Sequence, residues 1–101
     1  MKLLPKELKN KLPSIEEAKQ QEDPILYVKY FHPMSSWTWY AAGYSDDHFW
    51  GLVDGDFLEI GIFCLSEMKS IRVFELGIER DLHFDPKPMS EIRQEIMEKR
   101  R

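Results

Sequence analysis

Four ionisable residues alternate along the segment IERDLHFD, near the C-terminal end of the chain. The residues at every second position are Glu79, Asp81, His83 and Asp85. In an extended strand, side chains two positions apart point to the same face of the sheet. Two carboxylates with a histidine between them could hold a divalent cation, and oxygen-rich sites suit Mg²⁺ or Mn²⁺. The spacing suggests Asp81, His83 and Asp85 as metal ligands, although any strand with one face in solvent shows the same alternation.

Three further charged residues are candidates for catalysis: Glu59, Glu67 and Arg80. Glu59 or Glu67, added to the candidate metal ligands, would complete the site of a metal-dependent phosphodiester hydrolase. Glu59 and Arg80 also stand among apolar neighbours, so Arg80 could bind an anion while Glu59 acts as a base. If strands 56–65 and 78–84 pack together, however, a structural ion pair is the favoured interpretation, because a partly buried charge needs a partner.

A stretch rich in aspartate predicts a different function, the binding of another protein. Its acidic residues are Asp46, Asp47, Asp54 and Asp56, and no lysine or arginine occurs between positions 45 and 60. With a net charge of -4, the chain lacks the basic character of a nucleic-acid binder. These aspartates would attract a basic protein surface. The attraction would mainly increase the rate of encounter and select the orientation of the partner. Trp50 could serve as the aromatic anchor of this surface.

The periodicity of the chain predicts the elements that position these residues. Short helices are expected within 1–22, and period-two patterns predict strands at 25–31, 37–44, 49–53, 56–65 and 78–84. Ser66 is expected to cap a short central helix through about residue 71, and a C-terminal helix follows Pro88. Turn signals such as Asp54-Gly55 join neighbouring strands as hairpins. The prediction is one α+β domain over 1–101, with an antiparallel sheet of about five strands, a meander plus one.

Aromatic and small residues give more local expectations. The stretch WTWY (37–40) is expected to fill a core, because no basic groove accompanies it as in a stacking platform for single-stranded nucleic acid. Gly61, inside a strand, suggests a bulge or a close backbone approach. Cys64 is the single cysteine, which excludes an intrachain disulfide, and it is expected to be a buried small hydrophobe. No apolar run is long enough for a signal peptide or a membrane span, so we expect a cytoplasmic protein.

Several motifs together resemble a bacterial family, the domain of unknown function 2958. They are MKLLPKEL with KLP, WTWY, FWGLVDG, LEIGIFCLSEM and GIERDLHFDPKPMSEI, in this order along nearly the whole chain. The resemblance implies a compact, bacterial, cytoplasmic domain of the kind often carried on plasmids and other mobile elements. It implies no reaction, cofactor or catalytic residue. The segment between WTWY and FWGLV is shorter here than the family pattern.

The favoured prediction is a non-enzymatic protein-binding module of a mobile element, without a cofactor, that modulates a host or defence factor. The alternative is the metal-dependent hydrolase with Mg²⁺ or Mn²⁺. We expect a monomer or a weak homodimer, because an open sheet edge offers unpaired backbone groups to a second chain.

Overall fold

The computed structural model describes residues 1–100, which form four helices and seven strands. The helices are α1 (Lys6–Lys11), α2 (Ile15–Gln20), α3 (Leu65–Ser70) and α4 (Met89–Lys99). The strands are β1 (Ile25–Leu26), β2 (Val28–Phe31), β3 (Thr38–Ser45), β4 (His48–Asp54), β5 (Leu58–Cys64), β6 (Glu79–Arg80) and β7 (Lys87–Pro88). No helix within 1–100 is long and apolar enough to cross a membrane.

Five strands form one antiparallel sheet in the order β5-β4-β3-β2-β6, and β1 pairs with β7 in a second, two-stranded sheet. Strands β2 to β5 are neighbours in sequence and in space, as short connections between antiparallel strands require. The predicted strand over 25–31 is divided at Tyr27 between the two sheets. The predicted α+β fold, with a meander of four strands plus one, is confirmed.

The predicted fifth strand is much shorter than the sequence pattern indicated. Residues 78–84 contribute only β6, and the chain turns at Asp81. The Asp81 carboxylate accepts a hydrogen bond from the backbone N–H of His83 at 2.9 Å, and the Phe84 N–H donates to the Asp81 carbonyl at 3.4 Å. An aspartate that bonds the backbone two residues on stabilises a turn. The alternation of charges here is therefore not that of a strand.

The large sheet carries a hydrophobic core on each face, because neighbouring residues of a strand point to opposite sides. Ala41 belongs to the first core, which includes the fully buried Tyr30 and Phe49 and is covered by N-terminal residues and α3. The adjacent Tyr40 belongs to the second core, together with Leu52. Helix α4 covers this second face with the apolar residues Met89, Ile92 and Ile96.

The stretch WTWY contributes to both faces of the sheet. Trp39 packs against the first core and Tyr40 lies in the second. Trp37 precedes β3 and lies against Gly55, where an added Cβ would come within 2.6 Å of its ring. Trp39 and Tyr40 therefore pack in the cores, as the sequence predicted, whereas Trp37 is 38% exposed and lies outside both cores, with its ring centre 6.0 Å from that of Trp39.

The close backbone approach predicted for Gly61 occurs instead at Gly51. A Cβ at Gly51 would lie 1.9 Å from the Tyr40 carbonyl oxygen, beside a register shift between Ala41 and Gly43 that marks a β-bulge. A Cβ at Gly61 would meet nothing within 4 Å. The prediction for Gly61 is wrong, since the bulge lies on β3 and β5 is regular.

Candidate functional site

The residues proposed as metal ligands do not converge. Asp81 and His83 lie in the turn after β6, with the Asp81 carboxylate held by the His83 backbone, and Asp85 lies beyond it. Within residues 1–100, no group of three or more His, Cys, Asp or Glu side chains is arranged to hold a metal ion. The shared strand face on which the metal interpretation depended is absent from this segment.

The proposed pair of Glu59 and Arg80 does not form. Glu59 is on β5 and Arg80 on β6, which are the two opposite edges of the sheet. With neighbouring strands about 4.8 Å apart, the two edges are separated by about 19 Å. Arg80 instead donates from Nε to the Lys2 carbonyl at 3.2 Å, so it fastens the N-terminal segment alongside β6. Glu67 is exposed on α3.

Asp81 nevertheless borders a polar cavity of about 430 Å³ beside β2. Its lining residues are Lys29, Phe31, His32, Ser35, Ser36, Thr38 and Asp81. Lys29 Nζ lies 3.9 Å from the Asp81 carboxylate and 5.8 Å from the centre of the Tyr40 ring. Burial raises the pKa of Tyr40 above its usual range. This cavity could bind a small polar ligand, but its two charged groups already neutralise each other.

The buried His32 is not available for acid–base chemistry in this cavity. Its Nδ1 accepts a hydrogen bond from the Met34 backbone N–H at 3.0 Å. Nε2 lies 2.9 Å from the Leu76 carbonyl oxygen, which can only accept, so Nε2 carries the proton. Both ring nitrogens therefore hold the backbone of the loops around them.

A second concavity, of about 760 Å³, lies between the N-terminal segment and α3. Its charged lining residues are Lys2, Lys6, Lys69, Arg72, Glu75 and Glu79. Arg72 donates to the carbonyls of Lys69 (2.8 Å) and Ile71 (2.7 Å), so its guanidinium closes the end of α3. Charges of both signs line this open groove, and no side chain in it is positioned for a reaction.

The predicted acidic surface is divided between two turns. Asp46 and Asp47 form the β3–β4 turn, whereas Asp54 and Asp56 flank the β4–β5 turn. The seven residues of β4 separate these turns by about 20 Å. The four aspartates are close together in sequence, but the two pairs lie at opposite ends of one strand. They therefore do not form one acidic patch.

Two of these aspartates also have partners within the fold. The Asp47 carboxylate accepts from the Ser66 backbone N–H (3.2 Å), the Ser66 hydroxyl (2.6 Å) and the Cys64 thiol (3.1 Å). These hydrogen bonds lower the pKa of Asp47, and the bond from the Ser66 hydroxyl has the largest effect. Asp54 is bound by Arg100 at the end of α4. Asp46 and Asp56 have no carboxylate hydrogen bond or ion pair to any residue within 1–100.

Trp50 is half-buried against the second core, beside an apolar feature that the sequence reasoning missed. In register, Trp50 pairs with Ile62 and Leu52 pairs with Ile60. Although these partners share a sheet face with buried residues, Ile60 is 47% exposed and Ile62 is 52% exposed. The sequence did contain a signal for this exposed apolar surface, because the predicted strand LEIGIFC is largely apolar and has no lysine or proline.

Strand β5 is an open edge of the sheet. It pairs with β4 on one side without a register shift over seven residue pairs. No group within residues 1–100 other than β4 is hydrogen-bonded to the backbone of 58–63. Natural edge strands are usually blunted by short length, lysine, proline or a bulge, and β5 has none of these.

The opposite edge is protected. Strand β6 has only two residues, Glu79 and Arg80, and both are charged. The N-terminal segment lies alongside it, with the Arg80 N–H donating to Met1 Sδ at 3.1 Å and the guanidinium bound to Lys2. The two edges of the same sheet therefore differ sharply in their availability to another chain.

Fold and surface together define a small α+β domain with one protected sheet edge and one open edge. The family model described as "Protein of unknown function (DUF2958)" matches residues 3–98, nearly the whole chain, so the chain belongs to this family. The resemblance read from the motifs is thereby confirmed. No curated protein and no solved structure matches the chain.

Proposed function

We propose that this domain is a non-enzymatic protein-binding module and that its binding element is the outer edge of β5. The observation that carries the proposal is the seven-residue edge that no other segment within residues 1–100 covers, with Glu59 as its one charge and Ile60 and Ile62 half-exposed beside it. An extended segment added to such an edge gains backbone hydrogen bonds, while alternate side chains supply specificity. Covering Ile60 and Ile62 would add apolar burial, at roughly 25 cal/mol per Å² removed from water.

Where the bound chain is a different protein, the acidic turns would guide it to the module. Of the four aspartates in these turns, Asp46 and Asp56 are the two whose carboxylates have no partner within residues 1–100, and the net charge of -4 favours encounter with a basic surface. The mobile-element setting implied by the family resemblance would make this partner a host or defence factor. Asp47 and Asp54 would stabilise the fold through their internal partners and would not contact the bound protein.

Affinity capture with matched variants tests the proposal. Purified wild type, Ile62→Lys and Met97→Lys serve as baits for bacterial lysate, and light scattering measures the self-association of each. Met97 is the control because it is 56% exposed, much like Ile62, but lies on α4. We expect Ile62→Lys to lose the captured or self-associated chain and Met97→Lys to retain it. Equal binding by the two variants, both folded by circular dichroism, would reject β5 as the binding element.

The hydrolase alternative has less geometric support. Its residues Glu59, Glu67 and Asp81 are dispersed over β5, α3 and the turn after β6. Calorimetric titration with Mn²⁺ and Mg²⁺ should give no binding heat at micromolar concentration and no rise in Tm. Binding that disappears in Asp81→Asn would instead favour the hydrolase.

A further inference from the structure

We propose that the chain that occupies the β5 edge is a second copy of this domain, paired antiparallel about a two-fold axis through Gly61. The inference rests on the proposed function of β5, and it names the partner. A two-fold interface brings the same surface of both subunits together, so the surface must be complementary to itself. Strand β5 meets this requirement in its length, its side chains and its charge.

Gly61 is the central residue of the seven in Leu58–Cys64. Pairing through this centre places Gly61 opposite Gly61 of the second copy, with three residues matched on either side. Ile60 then faces Ile62 of the second copy, and the symmetry repeats this contact. The exposed apolar residues of each copy therefore cover one another on the face that carries Trp50.

The other face of the paired strands is also compatible. Glu59 would lie opposite Phe63 of the second copy, flanking the two glycines. The two Glu59 carboxylates would be four residues apart along the strand, which is about 13 Å. Because Glu59 is the only charged residue in β5, no like charges oppose each other in this register.

Gly61 itself has no role that the isolated domain explains. A Cβ at this position would meet nothing within 4 Å, although glycine in a strand interior is less stable than alanine. Glycine inside a strand often marks a site where another backbone approaches closely. At the two-fold axis, opposed glycines would leave one face of the paired strands free of side chains.

The protected β6 edge limits this pairing to a closed dimer. Were both edges open, strand addition would continue into a chain of molecules. With β6 covered by the N-terminal segment, each copy offers one edge, and a two-fold contact consumes both. The paired domain would then contain one continuous ten-stranded sheet, five strands from each copy.

Site-specific disulfide formation tests the register. Gly61→Cys, in a Cys64→Ser background that keeps a hydrogen-bond donor for Asp47, places the single cysteine on the axis. Directly opposed Cβ atoms in an antiparallel pair are about 4.5–5.5 Å apart, close to the roughly 3.5–4.5 Å of a disulfide, so a small local shift lets mild oxidation link the dimer. Glu59→Cys in the same background is the matched control, because its two copies would be too far apart to link.

The expected result is a disulfide-linked dimer for Gly61→Cys and little or none for Glu59→Cys. Light scattering of the wild type should show the mass rising with concentration toward twice the 12.1 kDa of one chain, and Ile62→Lys should remain at the mass of one chain. Equal cross-linking of both cysteine variants would overturn the two-fold register. A wild type that stays monomeric at every concentration would overturn the dimer.

The two proposals fail differently. A monomeric wild type that still captures another protein through Ile62 would leave the binding function of β5 in place and reject the second copy as its occupant. Loss of both self-association and Ile62-dependent capture would reject both proposals.

Discussion

At the scale of single residues, two aspartates from distant segments cap two helices in the same way. Asp47 accepts from the N–H and hydroxyl of Ser66 at the start of α3, and Asp23 accepts from those of Ser90 at the start of α4. Each serine is the second residue of its helix, within LSE and MSE respectively. The first N–H groups of a helix lack partners within the helix, and these carboxylates satisfy one in each.

Because of these two caps, the stability of the folded domain is expected to fall at acidic pH. Hydrogen bonds from Ser90 lower the pKa of Asp23 below 3.8, as those from Ser66 and Cys64 do for Asp47. Because the folded-state pKa is the lower one, the stabilisation is complete above the unfolded pKa of about 3.9 and is lost as pH falls through the folded value. We expect Tm to fall over this range, and to fall less in Asp47→Asn and Asp23→Asn, which start with a lower Tm at pH 7.

Asp46→Asn is the matched control for this experiment, since Asp46 neighbours Asp47 in the same turn. Both residues have positive φ (46° and 69°), which asparagine also tolerates. Thermal melts of Asp46→Asn should follow the wild type across the acidic range. A loss of stability equal to that of Asp47→Asn would contradict the capping role.

Local caps could be predicted from the sequence, and distant ones could not. The capping box of α2 joins Ser14 and Glu17, three residues apart, through two bonds of 3.1 Å, and the spacing of serine and glutamate is the sequence pattern of such a box. Ser66 was predicted to cap α3, but this helix begins at Leu65 and its cap is Asp47, which is 19 positions away. A short sequence window does not contain that partner. Cys64 is likewise only partly buried, with its thiol bonded to Asp47.

At the scale of elements, strands were predicted where apolar residues alternate, and the prediction failed where a side chain bonds its own backbone. The meander strands have strong β-formers and tight turns, so their order follows from local chemistry. In residues 78–84 the charges alternate equally well, but the Asp81 carboxylate bonds His83 and ends the strand. Periodicity does not distinguish these two outcomes.

Two glycines in paired positions of β4 and β5 should respond oppositely to alanine. Gly51 and Gly61 are register partners, but an added Cβ would collide with the Tyr40 carbonyl at Gly51 and meet nothing at Gly61. We expect Gly51→Ala to destabilise the domain strongly. Gly61→Ala should stabilise the isolated domain by about 0.5–1 kcal/mol. Urea unfolding at low protein concentration measures both, and a stabilised Gly51→Ala would contradict the assigned bulge.

Helix α4 offers a second matched pair in adjacent residues. Ile96 and Met97 are both apolar, but Ile96 is 7% exposed in the second core and Met97 is 56% exposed. Ile96→Ala should lower the free energy of unfolding by about 2–4 kcal/mol, because it removes buried methyl groups and leaves a cavity. Met97→Ala should change it by less than about 0.5 kcal/mol. If urea unfolding shows similar losses of stability for the two variants, α4 must be rotated about its axis relative to its orientation in the structure.

At the scale of the whole molecule, one sheet joins the two cores. Tyr40 and Ala41 are consecutive residues of β3 but lie in different cores, so neither core can be lost while the strand keeps its neighbours. We therefore expect cooperative unfolding of residues on both faces, as in most small domains. Urea transitions followed by tryptophan fluorescence and by far-UV circular dichroism should coincide. Separate midpoints would show that α4 and the second core melt independently.

The placement of the candidate sites was decided at this largest scale. The sequence indicated five strands, but it did not indicate that β5 and β6 would occupy opposite edges. That order separates Glu59 from Arg80, and it leaves β5 open while β6 is covered. The position of β6 beside β2 comes from packing over the whole chain, which local residue types do not encode.

The contact of the N-terminal segment with β6 has a consequence for synthesis of the protein. The Lys2 carbonyl and the Arg80 guanidinium are 78 positions apart in sequence, and Leu3 is buried in a core completed by Ile78. A growing polypeptide leaves the ribosome N-terminus first, so its first residues must wait until most of the chain has been made. Contacts of such long sequence separation slow folding. The nascent meander therefore emerges with both sheet edges uncovered, and this is the interval in which a chaperone would be most useful.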